Sequence, residues 1–143
     1  FDAASDTPGR QRFEKAISGY ALPYVFERLV PGVPNFDPAS GTGPLVSIRT
    51  SGEGDAQAAA AALLDRSADL VAAGLYGVAR VLGGTAPVTV LAEGSLYWRP
   101  PGYAERVEAT LARLAPDGPR FTVLRREDAN LYGSAVAALG VPG

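Results

Sequence analysis

Cysteine and histidine are absent from the 143 residues. Without cysteine there is no disulfide scaffold, no thiolate metal site and no cysteine nucleophile. Without histidine, Ser-His-Asp catalysis, imidazole metal ligation and the ordinary near-neutral pH switch are all excluded. Basic charge is scarce: 13 Lys and Arg face 15 Asp and Glu, for a net charge of −2. Nothing in that balance drives binding to a phosphate backbone, so nucleic acid is not an expected partner. Lys15 is the lone lysine; the excess of arginine and alanine reads as the codon usage of a GC-rich genome. The longest apolar run, residues 58–64, falls far short of the ~20 residues that span a bilayer. No positively charged start leads into an apolar stretch, so no signal peptide is expected and a cytoplasmic location is. An opening methionine is missing too: the chain starts Phe1-Asp2-Ala3 and reads as a processed, cleaved or excised piece, or as a sequence given without its start. Gly41 and Gly43 fit no phosphate loop, because GxxxxGK[ST] does not occur.

What is present describes one globular domain. Hydrophobic residues make up 47% and charged residues 20%, which excludes disorder and collagen-like folds. A chain of this length buries ~70% of its extended surface and needs no staples.

The spacing of Phe13 and Ile17 predicts a short helix within 10–20, and Pro23 suits the first turn of a second one over 23–30. Residues 31–54, rich in Pro, Gly, Ser and Thr, read as a long surface loop with at most one short helical turn. The strongest helix is predicted over 55–82, capped by Asp55 and ended by Gly83-Gly84. Leu63, Leu64, Leu70, Val71, Leu75, Val78 and Leu82 share its apolar face, and Gly74 and Gly77 would admit a close neighbour. After Pro87 the period changes. Residues 88–92 read as a buried strand, Glu93-Gly94-Ser95 as a tight turn and Leu96-Tyr97-Trp98 as a second strand. A helix over 103–115 with Tyr103, Val107, Leu111 and Leu114 on one face, a strand over 121–124 and a helix over 128–140 complete an α/β pattern.

Three places combine turn chemistry with a strand or helix end, where α/β proteins bind ligands. They are Glu93-Gly94-Ser95; the stretch Glu127-Asp128-Ala129-Asn130 leading to Gly133-Ser134; and Glu14 to Gly19. A helix start after Asp128 could offer backbone N–H groups to a phosphate. Each also has a plain structural reading, as a turn, an N-cap or a solvated carboxylate.

Taken in order, these pieces resemble one family. Residues 8–19, PGRQRFEKAISG, resemble the "PGxQxFEKMISG" segment of eukaryotic-type hexokinases and glucokinases. Arg66-Ser67-Ala68 and residues 73–78 resemble the family's "RAA…AGLAGV" helix. Residues 88–97, VTVLAEGSLY, resemble its "ITVGVDGSVY" strand-turn-strand. Pro101-Gly102-Tyr103 fills the place of "HPxF", and residues 121–139 resemble "xFxxSEDGSGKGAALxxAV". The four blocks cover nearly the whole chain apart from 31–54 and correspond to about the last third of a hexokinase.

The resemblance implies an α/β, ribonuclease H-like (actin-like ATPase) fold, present as part of the large lobe. It implies transfer of the γ-phosphoryl of MgATP to the 6-hydroxyl of a hexose such as glucose, a reaction governed by positioning and charge stabilisation. By position, Glu14 falls on the carboxylate that accepts hydrogen bonds from sugar hydroxyls, where a charged acceptor makes stronger bonds than a neutral one. Gly19 falls on the glycine beside the nucleotide. Glu93, Gly94 and Ser95 fall on the adenosine turn, and Asn130 falls on the serine of "GSG". Glu93 stands for the usual Asp, Ala129-Asn130-Leu131 for Gly-Ser-Gly, and Tyr132 for a small or basic residue. Pro23 departs from the family's "YLGE" helix. The general base, the phosphate loops and the Thr-Lys sugar contacts of the family lie upstream of the matched segment. The resemblance therefore implies a companion N-terminal part, on this polypeptide or another chain, that also holds most of the ATP and Mg contacts. The altered nucleotide motif supports an alternative: a non-catalytic, hexokinase-like sugar-binding or regulatory module.

Overall fold

The computed structural model describes residues 2–83, 86–126 and 128–140. The elements run α1 (Arg12–Ile17), α2 (Ala21–Leu29), α3 (Thr42–Ser51), α4 (Gly54–Val81), β1 (Val88–Leu91), α5 (Ser95–Trp98), α6 (Tyr103–Leu114), β2 (Phe121–Leu124) and α7 (Ala129–Ala138). Single 3-10 turns precede α1 and α3, at Asp2–Ala4 and Pro38–Ser40.

Helix α4 is the spine. Its sequence has no proline and is dense in alanine, with Asp55 in the first turn and Arg80 in the last, each complementing the helix dipole. The N-cap is Glu53 rather than Asp55, and no side chain bonds the cap. Gly83 lies just past the helix end at φ 72°, where glycine is favoured; Gly84 is outside the described residues.

Two apolar clusters form along α4. Its N-terminal half packs Ala60, Leu63 and Leu64 against Leu22 and Phe26 of α2 and Leu45 of α3. Its middle packs Ala68 and Ala72 against Tyr97 of α5 and Tyr103, Val107 and Leu111 of α6, with Phe121 and Val123 of β2 beside them. Small residues hold this second seam, so α6 approaches closely. Alignment is fixed by charge: Arg106 bonds both oxygens of Asp69, at 3.0 and 2.7 Å, and one oxygen of Asp65 at 3.0 Å. Thr110 donates to Asp69 at 2.8 Å, and Arg49 of α3 pairs with Asp65 at 3.0 Å.

Strands β1 and β2 pair in parallel, from Val88 opposite Phe121 to Leu91 opposite Leu124. Val88, Val90, Phe121 and Val123 face inward and are half-buried; Thr89, Leu91, Thr122 and Leu124 face out. The residues expected as a buried strand are thus covered on one side only.

Three further expectations are corrected. Residues 31–54 are not a loop: α3 occupies ten of them. Its Gly, Pro, Ser and Thr give weak propensity, but Pro44 sits in the first turn, and Leu45 is fully buried with Ile48 packed beside it. Leu96-Tyr97-Trp98 is a helical turn, not a strand. The rings of Tyr97 and Trp98 touch edge to face at 4.8 Å, whereas neighbours in a strand point to opposite sides. The Trp98 indole N–H donates back to the Ala92 carbonyl at 2.8 Å and closes the turn. Finally, Gly74 does admit a neighbour, since a Cβ there would stand 2.8 Å from the Phe13 ring, but Gly77 faces open space.

Candidate functional site

The chain turns sharply after β1. Gly94 has φ 105°, a conformation that side chains disfavour, while no atom crowds its missing Cβ. Backbone conformation, not space, requires glycine there. Behind this turn lies a cleft of about 660 Å³. One wall is the corner between α1 and α2, carrying Glu14, Ser18 and Gly19. Glu93-Gly94-Ser95 line the cleft as well, and Val71 and Leu75 of α4, Thr42 of α3, Tyr97 and Tyr103 complete the lining. Its surface is mostly apolar with a few polar groups, the usual character of a small-molecule site.

Glu14 is exposed on α1 and also borders a neighbouring hollow of about 540 Å³ with Lys15, Ser18 and Tyr24. Lys15 is engaged elsewhere: its ammonium bonds Asp2 at 2.6 Å, Ser5 at 2.7 Å and the Thr7 carbonyl at 2.5 Å. That leaves Glu14 as the carboxylate facing the cleft from this side. Gly19 lines the cleft, yet a Cβ on it would meet Thr42 at 3.3 Å and Leu96 at 3.6 Å, so its bareness serves the approach of α3 and α5.

Asn130 lies across a second hollow, of about 530 Å³, which shares Glu93, Gly94 and Ser95 with the cleft. The two are tied directly. The Asn130 backbone N–H donates to Glu93 Oε1 at 2.9 Å, and its side-chain amide donates to Oε2. A carboxylate at the first turn of α7 is favourably placed against the helix dipole. The same hollow holds Arg99, Arg125 and Arg126. The Arg125 guanidinium stands 6.0 Å from the Trp98 ring centre, and that of Arg126 5.1 Å from the Tyr132 ring centre.

All six sequence-predicted residues therefore fall on two adjoining hollows that share one turn. Glu127 is outside the described residues. Sequence reasoning missed Thr42, whose helix was read as loop, and the polar roles of Ser67 and Tyr103. A serine inside the apolar stripe of α4 was the available signal. Tyr97 adds a buried hydroxyl with no hydrogen-bond partner among the described residues; burial foremost, then Glu108 and Glu105, push its pKa up to about 12. Among the described residues no group of three acidic side chains stands close enough to hold a metal ion. Nor is any of their helices long and apolar enough to cross a membrane.

The hexokinase family model matches residues 53–140. That span contains Glu93, Gly94, Ser95 and Asn130; Glu14 and Gly19 precede it. Among solved structures, a hexokinase from Schistosoma mansoni complexed with glucose superposes with a TM-score of 0.74 at 24% identity, over 98% of this chain. The chain spans 40% of that hexokinase's length. The fold is thus the α/β, ribonuclease H-like fold, present in part. No curated protein matches the chain.

Proposed function

The chain belongs to the hexokinase family, and from that premise we propose that it is the C-terminal, large-lobe part of a sugar kinase. The proposed reaction is ATP-dependent phosphorylation of a hexose, glucose first among them, at its 6-hydroxyl. The observation that carries the reading is the gathering of Glu14, Gly19, Glu93, Gly94 and Ser95 around one cleft. Glu14 accepts hydrogen bonds from sugar hydroxyls. Gly19, Glu93, Gly94, Ser95 and Asn130 form the adenosine-side wall, and Arg99, Arg125 and Arg126 suit a polyphosphate beside it. The general base, most of the Mg contacts and the remaining phosphate contacts belong to an N-terminal part, on this polypeptide or a companion chain. When bound, ATP supplies the phosphoryl group; the residues named here bind and orient.

One observation favours a second reading, a non-catalytic sugar-binding or regulatory module. The Asn130 N–H, where an anion would meet the start of α7, is already occupied by the Glu93 carboxylate. A nucleotide that uses this helix end must open that contact. The test is glucose phosphorylation by the complete protein, followed as ADP and sugar phosphate formed together. Turnover supports the kinase. Hexose binding without ATP binding selects the second reading, and binding of neither ligand sinks both.

A further inference from the structure

Two buried hydroxyls take no part in the roles above. Ser67, in the middle of α4, is fully buried, and Tyr103 opens α6 almost as deeply. The Ser67 Oγ lies 3.1 Å from the Ile17 carbonyl oxygen and 2.8 Å from the Tyr103 hydroxyl. A carbonyl only accepts, so the single Ser67 proton goes to Ile17 and Tyr103 must donate to Ser67. The direction of the relay is fixed: Tyr103 to Ser67 to Ile17.

Ile17 ends α1, at the corner that bears the cleft's polar groups. The next residue, Ser18, donates its N–H to the Glu14 carbonyl at 2.7 Å, and the Ser18 carbonyl accepts from Ala21 and Leu22, both at 3.1 Å. Helix α1 has six residues and none is buried. A helix so short does not hold its own orientation; tethers at its ends must.

We propose that Ser67 is a positioning residue which, with Tyr103, holds the α1–α2 corner so that Glu14 faces a hexose in the cleft. The proposal rests on the reading of that cleft as the hexose site. Ser67 touches no ligand itself; it acts through Ile17.

The experiment is a calorimetric titration of glucose into the complete protein, as wild type, Ser67→Ala, Tyr103→Phe and the double variant. Ser67→Ala should weaken glucose binding about tenfold and Tyr103→Phe about threefold, because the phenylalanine variant leaves the Ser67–Ile17 bond in place. Ser67 is the middle link, so the double variant should match Ser67→Ala within about twofold. Amide exchange in β1 and β2 should not move, which separates positioning from general damage. Unchanged glucose binding in Ser67→Ala, or a double variant that multiplies the two effects, overturns the relay. If Ser67→Ala fails to fold, Tyr103→Phe, which keeps the ring, carries the test alone. A wild type that binds no glucose sinks the hexose reading but not the relay. Amide exchange at Ser18 and Leu22 in the same variants then decides. Acceleration of about tenfold confined to the corner upholds the relay; none, or the same acceleration in β1 and β2, overturns it.

Discussion

The Tyr97 hydroxyl sits in the core without a partner among the described residues. An unpaired buried hydroxyl costs free energy that its ring repays by packing against Trp98 and Tyr103. Tyr97→Phe should therefore stabilise the fold by up to about 1 kcal/mol, read as a raised urea midpoint; a lowered midpoint would mean the hydroxyl is engaged. The same residue sets an alkaline limit. Its pKa is raised from 10.0 to about 12. The folded state thus holds its proton more tightly than the unfolded state. That stability is full below pH 10 and disappears as pH rises to about 12. The phenylalanine variant should lose less stability over that window. At this scale the motifs pointed to Glu14 and Glu93, which the structure brings to one cleft. At Ser67 the signal was weaker, a lone serine inside the apolar stripe of α4, and its bonds to Ile17 and Tyr103 show only in the fold.

Elements were legible in proportion to their local strength. α4, α6 and both strands follow from period and composition. α3 was missed because Leu45 and Ile48, three apart, are surrounded by residues of weak helical propensity, and contacts made only in the fold, the burial of Leu45 and the Arg49–Asp65 pair, hold the helix. α5 was missed because Gly94-Ser95 suits a hairpin as well as a helical turn. Glu93 bears on α7, which has no buried residue among its ten. Its anchorage rests on the Glu93–Asn130 contact, so Glu93→Ala should speed amide exchange in Asn130 to Tyr132 by about threefold while leaving α6 unchanged. Exchange as slow as in the wild type would show that α7 is held by other means. The α4–α6 seam carries an acid dependence. The Arg106 hydrogen bonds hold the Asp69 carboxyl below its ordinary 3.8, against the opposing effect of burial and with help from Thr110. A depressed carboxylate contributes stability that is present above pH 3.8 and lost as pH falls below it. Asp69→Asn should flatten the acid limb of the stability profile. A smaller slope will persist, because Asp2, bonded by Lys15, is depressed as well. An unchanged profile would exclude Asp69 as its source.

The whole molecule is an α/β fold with one side covered. Leu91 and Leu124 stand opposite each other on the outer sheet face, 54% and 46% exposed. Val78, Val81 and Leu82 of the α4 end are exposed too, as are Leu131 and Val136 on α7 and Leu139 just past it. Parallel sheets are ordinarily covered on both faces, which suits a chain that spans 40% of a hexokinase it resembles. The order of motifs made this fold legible although one motif took another shape: residues 88–98 form a strand and a helical turn rather than two strands, and the family match still runs through them. What no motif could reveal is which groups share the cleft, because that depends on how α1 leans against α4. The most direct test of the account is therefore the glucose affinity of the complete protein with Glu14 intact and as Glu14→Ala. Hydrogen bonds to a charged acceptor are worth about 1.5–3 kcal/mol each, so the account predicts binding weakened by about 10- to 100-fold. Equal affinity in the two proteins would remove Glu14 from the sugar site and contradict the account.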